Sequence, residues 1–387
     1  MGRRLFNPGP TNTRESTKRA LLTEDMSHRC SAFRDVFTGV RKSLVRLLDG
    51  DDEYEAVMFA ASGTGANEAV ARCLEGDTLV IVTGRYSERL AQILEVCGRR
   101  VHRMLVPVFA AVDCDEVAGR LRADPGIRNL AFVHHETTTG LLTPLRDLCA
   151  LASRMGILTF VDAISSVGAH ELSLNSTGPD YLTVTSNKGL EAFPGVSFVV
   201  ARVALLEQVG PGDSYYFDIG RQLASQRRGE VPFTVPVQVV HALSEALGHL
   251  AHETGAGRRR RYALVADLMR RGLRSRGFEL IDLPSGQQSN VVIPVRLPAG
   301  LDFHRLQSEL EMLAIEIYSA EEALRSGYFF VASMGHLAHT DVADFLEALV
   351  GACGRQGIEL VPGQHGGNGN SLADRVGART SHGEKLR

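Results

Sequence analysis

From residue 54 to 201 the chain repeats one pattern: a short apolar, β-rich run followed by a stretch with apolar residues at helical spacing. The β-rich runs are 54–60 (YEAVMFA), 78–82 (TLVIV), 101–106, 130–134 (LAFVH), 157–161 (ILTFV), 181–185 (YLTVT) and 198–201. Helical stretches at 67–74, 87–97, 115–122 and 144–155 separate the first five. Strands that alternate with helices of about ten residues imply right-handed crossovers between parallel strands. Runs that are apolar at nearly every position imply burial on both faces. The fold class is therefore α/β, a large domain whose mostly parallel sheet is covered by helices.

After about residue 236 the pattern changes. Helices are predicted at 237–252, 258–276, 302–313 and 340–353, with strands at 290–295, 315–318 and 328–332. This reads as a smaller α+β C-terminal domain. The organisation expected is an N-terminal arm (1–20), a large domain (21–245), a small domain (246–362) and a polar, glycine-rich tail (363–387) too poor in apolar residues to order itself.

Bulk composition narrows the functional classes. The formal net charge of -3 argues against a nucleic-acid partner. No apolar run reaches the length of a membrane span. The six cysteines contain no CxxC pair, which suggests reduced thiols and a cytoplasmic protein. No set of metal ligands is assigned.

Ligands of an open α/β sheet bind at the carboxyl ends of its strands, and several polar residues fall there. Ser62-Gly63-Thr64-Gly65 lies between a strand and a helix, where glycines admit a phosphate and the helix N-terminus favours an anion. Alone it reads more readily as a tight, capped turn. Asp162 ends the strand ILTFV; it is either aimed into a site or caps the segment AISS. Lys188 follows YLTVT and by itself could be a solvated loop lysine. Together the three supply what a pyridoxal-phosphate (PLP) site needs: a phosphate cradle, an amine for the imine, and a carboxylate facing the ring nitrogen. The freed Lys188 amine would then serve as the base. The 134–140 segment HHETTTG, otherwise a cap-rich turn, lies where it would contact the cofactor ring. Tyr86 would stack on the ring or pack as an ordinary core residue. The basic run 258–261 reads as a solvated helix start.

In this order, the pieces resemble the class V (fold type I) PLP aminotransferases. The likeness is strongest to the branch that uses 2-aminoethylphosphonate and pyruvate, and weaker to the alanine:glyoxylate branch. It is carried by Asn7-Pro8-Gly9-Pro10-Thr11-Asn12-Thr13, the Ser62 turn, the Tyr86 loop, His135-Glu136-Thr137-Thr138-Thr139-Gly140, Val161-Asp162-Ala163, Ser186-Asn187-Lys188, Phe233-Thr234-Val235-Pro236 and the 255–262 region. The resemblance implies a PLP-dependent transfer of an amino group from a small amine or amino acid to a 2-oxo acid such as pyruvate. It implies that Ser62, Gly63 and Thr64 hold the phosphate, Tyr86 stacks on the ring, Thr137 bonds the ring hydroxyl, Asp162 meets the ring nitrogen and Lys188 carries the imine. It further implies a homodimer in which Thr234 reaches the partner's cofactor phosphate.

One position departs from the pattern. The family places an anion-clamping arginine where this chain has Phe330. Arg325, His336, Arg14 and Arg29 are the alternative cations. The weaker likeness keeps open an alanine- or serine:glyoxylate-type reaction, and loss of the clamp keeps open a PLP lyase or decarboxylase. A desulfurase lacks its carrier cysteine in a glycine-rich loop. A nucleotide-binding dehydrogenase lacks GxGxxG. Against a non-catalytic protein of the same fold that binds PLP or a partner stands the presence of both Lys188 and Asp162.

Overall fold

The computed structural model describes residues 2–210 and 212–361; the tail expected to be disordered lies outside the described residues. Seven strands form the main sheet: β1 (Tyr54–Phe59), β2 (Asp77–Val82), β3 (Val101–Leu105), β4 (Ile127–Val133), β5 (Leu158–Asp162), β6 (Tyr181–Thr185) and β7 (Ser197–Arg202). Their spatial order is β1-β7-β6-β5-β4-β2-β3. β3, β2, β4, β5 and β6 are mutually parallel, while β7 runs antiparallel to both β6 and β1. Six of the seven strands thus end on one edge of the sheet.

Strand parity sorts the apolar residues into two cores, because successive side chains point to opposite faces. Leu79, Ile81, Leu130, Phe132, Val161, Leu182 and Val184 face one core. Val80, Val82, Ala131, Val133, Phe160 and Tyr181 face the other. The second face is covered by α2 (Gly63–Cys73), α3 (Arg85–Val96) and α6 (Ile219–Arg227). The first is covered by α1 (Ser31–Leu47), α4 (Cys114–Ala123), α5 (Leu145–Met155) and α7 (Val237–Glu253). The strand–helix reading carries no element at α1. That helix buries Phe33, Phe37, Val40 and Leu44, an apolar stripe at helical spacing.

A third core brings together α8 (Gly255–Ser275), α9 (Phe303–Glu311), α11 (His339–Arg355) and the antiparallel pair β8 (Val292–Arg296) and β9 (Tyr328–Ala332), with α10 (Glu321–Arg325) beside it. The change of core falls between Leu250 on α7 and Val265 on α8. The N-terminal segment belongs to this C-terminal unit: Arg4–Leu5 pairs in parallel with Ile315–Glu316, and Phe6 stacks on Phe345 with centroids 4.2 Å apart. Among the described residues no helix is long and apolar enough to cross a membrane, and the six cysteines are free.

The basic run at the start of α8 is solvated only in part: Arg260 is exposed, but Arg258 and Arg261 are drawn into the protein. Arg258 is fully buried, with Nε 2.6 Å from Glu253 and Nη1 donating to the Gly189 carbonyl at 2.9 Å. Arg261 bonds Glu253 and Glu191, each at 2.7 Å, and the Gly335 carbonyl at 3.0 Å. Tyr262 donates its hydroxyl to Glu191 at 2.6 Å. The correction has a physical cause: a buried guanidinium is tolerated only when carboxylates and carbonyls replace its water. Here those partners come from residues 60 or more positions away as well as from α7. For Glu253, burial is outweighed by the guanidiniums of Arg261 and Arg258, which hold its carboxyl down to about 2.

Removing Arg258 should leave a cavity in the hub and strip Glu191 and Glu253 of one of their guanidiniums, with Arg261 remaining. Arg258→Ala is expected to lower stability by about 3–5 kcal/mol. Arg260→Ala, at an exposed neighbour that pairs with no carboxylate among the described residues, should stay within about 0.5 kcal/mol. Urea unfolding of both variants measures the contrast.

Candidate active site

The polar residues singled out above gather at the carboxyl edge of the sheet. β5 delivers Asp162, which lies in register with Val133 of β4 and Thr183 of β6. Its carboxylate accepts from the Asn67 side chain at 2.7 Å and from the Ile164 amide at 3.0 Å. Asn67 is itself fixed, because its carbonyl accepts from the Thr183 hydroxyl at 2.6 Å. Burial raises the Asp162 carboxyl to about 6, against the Asn67 and Ile164 hydrogen bonds. The protein therefore orients this carboxylate without giving it a cation in direct contact.

Lys188 follows β6. Its residue is partly open, but the amine is enclosed, and burial lowers it to about 8 with Asp162 opposing that shift. Nζ donates to the Pro8 carbonyl at 2.7 Å. Behind it the chain turns tightly: the Glu191 amide donates to the Lys188 carbonyl at 2.9 Å. Glu191 is held at a positive φ of 57° by the α8 ion-pair hub. A Cβ at Gly189 would collide with the Val167 carbonyl, so the turn can sit against that backbone only as glycine.

Ser62 is the N-cap residue of the eleven-residue helix α2, yet its side chain makes no capping bond. Among the described residues the Gly63 and Thr64 amides meet no acceptor, whereas Gly65 bonds back to the Ser62 carbonyl at 2.9 Å. Two amides and a hydroxyl thus remain free at a positively polarised helix end. A Cβ at Gly63 would press on the Ile164 side chain, two residues after Asp162, and displace it.

Tyr86 lies in the first turn of α3 rather than in a loop. The fully buried Glu136 accepts from the Tyr86 and Ser87 amides at 3.0 and 3.1 Å, and from the Thr138 hydroxyl at 2.6 Å. One face of the Tyr86 ring carries the Arg89 guanidinium, 4.9 Å from its centroid. Thr137 is buried in the turn that follows β4 and makes no side-chain hydrogen bond to a described residue. His135 turns away toward Ser165 and His170; burial lowers its imidazole to about 4 and leaves it neutral. Thr234 is not brought to this edge by any described contact; it is exposed before α7. Asn67 and Glu136 were given no role by the sequence reading. The signal for Asn67 was a lone amide in an otherwise small-residue helix, four residues after Gly63.

Phe330 lies on β9 opposite Pro294 and is 1% exposed, within an apolar cluster that includes Tyr262, Tyr328 and Met334. Arg325 and Arg29 are exposed. Arg14 pairs with Glu253 at 3.6 Å, inside the hub. The one set of described residues with metal-ligand proximity, Asp77, His102 and Asp124, sits on the opposite edge of the sheet, where Arg100 already approaches Asp77 at 3.4 Å.

The sequence model of the Aminotransferase class-V family matches residues 13–329. The chain belongs to the class-V aminotransferases. It is 32% identical over 362 residues to a 2-aminoethylphosphonate–pyruvate transaminase of Syntrophobacter fumaroxidans, covering 91% of this chain and 97% of that protein. A Pseudomonas aeruginosa protein of the same name is 35% identical over 305 residues, 76% of this chain and 80% of the other. Among solved structures, a Thermus thermophilus aspartate aminotransferase of subgroup IV superposes with a TM-score of 0.82 at 26% identity, covering 91% and 99% of the two chains. A Bacillus subtilis ureidoglycine–glyoxylate aminotransferase reaches 0.86 at 22% identity, covering 94% and 95%, and speaks for the fold. The architecture is that of the fold type I aminotransferases, and it puts this class-V aminotransferase's polar cluster where such a sheet binds ligands.

Because the folded pKa of Asp162 lies above its ordinary 3.8, the folded state holds that proton more firmly than the unfolded chain. The associated stability is present below about pH 4 and is lost as the pH rises through about 6. Asp162→Asn removes the titrating group at the cost of one accepted hydrogen bond, so its stability relative to wild type is expected to be about 2 kcal/mol better at pH 8 than at pH 4. Urea titrations of both proteins at the two pH values would reveal the difference.

Proposed function

We propose that this chain binds pyridoxal phosphate at the carboxyl edge of its sheet and transfers an amino group from a small amine to a 2-oxo acid. The donor is of the 2-aminoethylphosphonate kind and the acceptor is pyruvate. One observation carries the reading: a buried carboxylate oriented but lacking a contacting cation, a deep amine of lowered pKa, and a helix N-terminus with free amides share one edge.

The residues fit the cofactor. Ser62 and the Gly63 and Thr64 amides form an uncapped cradle for its phosphate. Lys188 is the amine for covalent attachment, and Asp162 is the partner for a protonated ring nitrogen. A cation there would favour the ionised carboxylate that burial now disfavours. Tyr86 would stand against the ring, and the Thr137 hydroxyl, without a partner among the described residues, would meet the ring hydroxyl. When bound, PLP supplies an electron sink for the charge left at the amine-bearing carbon.

The chain's own residues then handle protons and position. With its pKa near 8, Lys188 Nζ is a free base in a useful fraction near neutral pH, able to take a proton from the substrate carbon and return it. The Glu191 turn and the hub behind it hold the Lys188 backbone still. Asn67 and Thr183 keep Asp162 from rotating away. We place the working unit as a homodimer, since Thr234 is exposed and would complete the phosphate cradle of a second subunit.

Phe330 favours a second reading. Its apolar surroundings offer no cation to an anionic substrate end, which suits a PLP reaction on a substrate without that anion, including one that is not a transamination.

The absorption spectrum of the protein loaded with PLP tests both. A band near the visible edge, bleached by 2-aminoethylphosphonate and restored by pyruvate with alanine formed, is expected. The band should be altered in Lys188→Ala. A band unmoved by the phosphonate donor but responsive to an uncharged amine would favour the second reading. No band after reconstitution would overturn the cofactor assignment.

A further inference from the structure

The opening Asn7-Pro8-Gly9-Pro10-Thr11-Asn12 segment has no part in the function proposed above, yet it lies on Lys188. Nζ donates to the Pro8 carbonyl at 2.7 Å. A Cβ on Gly9, whose φ is +137°, would fall on Nζ and lie 2.5 and 2.6 Å from Cδ and Cε. The Thr11 hydroxyl donates to the Lys188 carbonyl at 3.3 Å. The segment therefore touches Lys188 at its amine, along its stem and at its backbone.

Both ends of the segment are tied to the C-terminal unit. The Ala332 amide donates to the Phe6 carbonyl at 2.9 Å, next to β9's last residues, and the Phe6 amide donates to Glu316 at 2.7 Å. At the other end the His336 amide donates to the Asn12 carbonyl at 2.8 Å. Gly335 is pressed so closely on Asn12 that a Cβ there would come within 2.6 Å of the Asn12 nitrogen. Asn12 closes the loop by exchanging two hydrogen bonds with the Leu5 backbone, at 3.0 and 2.7 Å. The result is a strap stretched from one unit across the key amine of the other.

We propose that this strap is a positioning element of the active site: the Pro8 carbonyl receives the Lys188 amine whenever it is free, and the strap places that acceptor according to the C-terminal unit. The inference rests on Lys188 as the reactive amine. An amine that must leave and return during turnover needs an acceptor close by; without one it would swing into the space the substrate needs. Gly9 is the residue that lets the backbone approach so closely. Asn12 holds the loop shape without touching Lys188, which separates positioning from contact.

The test uses the full chain stripped of cofactor. Competitive acetylation over a range of pH, read by mass spectrometry, gives the titration midpoint and the pH-independent reactivity of Lys188, with the exposed Lys42 as internal standard. In Asn12→Ala and Gly9→Ala, the pH-independent reactivity of Lys188 relative to Lys42 is expected to rise about ten-fold as the strap loosens. The midpoint should climb from near 8 toward the ordinary lysine value as burial is relieved. A merely structural contribution would lower the melting temperature and leave both quantities in place. Profiles that coincide with wild type in both variants would overturn the strap's role; if Gly9→Ala fails to fold, Asn12→Ala decides. The PLP spectrum of wild type is recorded in parallel. A normal band with unmoved acetylation profiles removes only this inference, whereas a missing band removes the cofactor assignment and leaves the labelling result standing.

Discussion

The four central parallel strands β2, β4, β5 and β6, buried on both faces, leave little room for charged side chains along their length. β4, β5 and β6 are apolar or small over most of their span, and hydrogen-bonding groups become tolerable only where each strand runs out. Because these strands point the same way, their endings share one edge. Asp162, Thr137, Tyr86 and Lys188 are neighbours for that reason, although they are spread over about a hundred residues of chain. The antiparallel β7 does not disturb this arrangement. It is inserted between β1 and β6, so β1 still delivers Ser62 to the same edge.

The edge is then made rigid from behind. Asp162 is a buried carboxylate whose ionised form burial opposes, and it persists because Asn67 and the Ile164 amide orient it. Lys188 is gripped from two directions. The hub of Glu191, Glu253, Arg258, Arg261 and Tyr262 fixes the turn after it, and the N-terminal strap covers its amine. Both grips come from the C-terminal unit or from the helix that begins it. The chemistry is thus assembled on the sheet but adjusted from outside it. Groups held this way are costly in the ligand-free protein, as expected where function rather than stability sets the local arrangement.

Much of the fold was legible in the residues because the signals were local. β6 and β9 match the sequence bounds residue for residue, and the other main strands agree within a few residues. The helix α1 was missed: its stripe of Phe33, Phe37, Val40 and Leu44 is interrupted by Thr38, Gly39 and charged residues, and no strand precedes it to set an alternation. The start of α8 was misread because four consecutive arginines look solvated unless their partners are known. Phe330 was identified as a departure, but that it lies in a buried, largely apolar cluster was not visible on β9 alone.

Sequence alone determined the order of strands and helices, the α/β class, and which polar residues stand just past a strand end. Those properties follow from apolar periodicity and turn residues, which act between neighbours in the chain. Tertiary structure alone decided which of those residues are charged, neutral or free. The Asn67 bond to Asp162, the Glu191 bonds to Arg261 and Tyr262, and the Pro8 bond to Lys188 join residues from 70 to 180 positions apart. The free energy of a buried ionisable group is set by the partners that replace its water, and those partners are brought to it by the fold rather than by the neighbouring sequence.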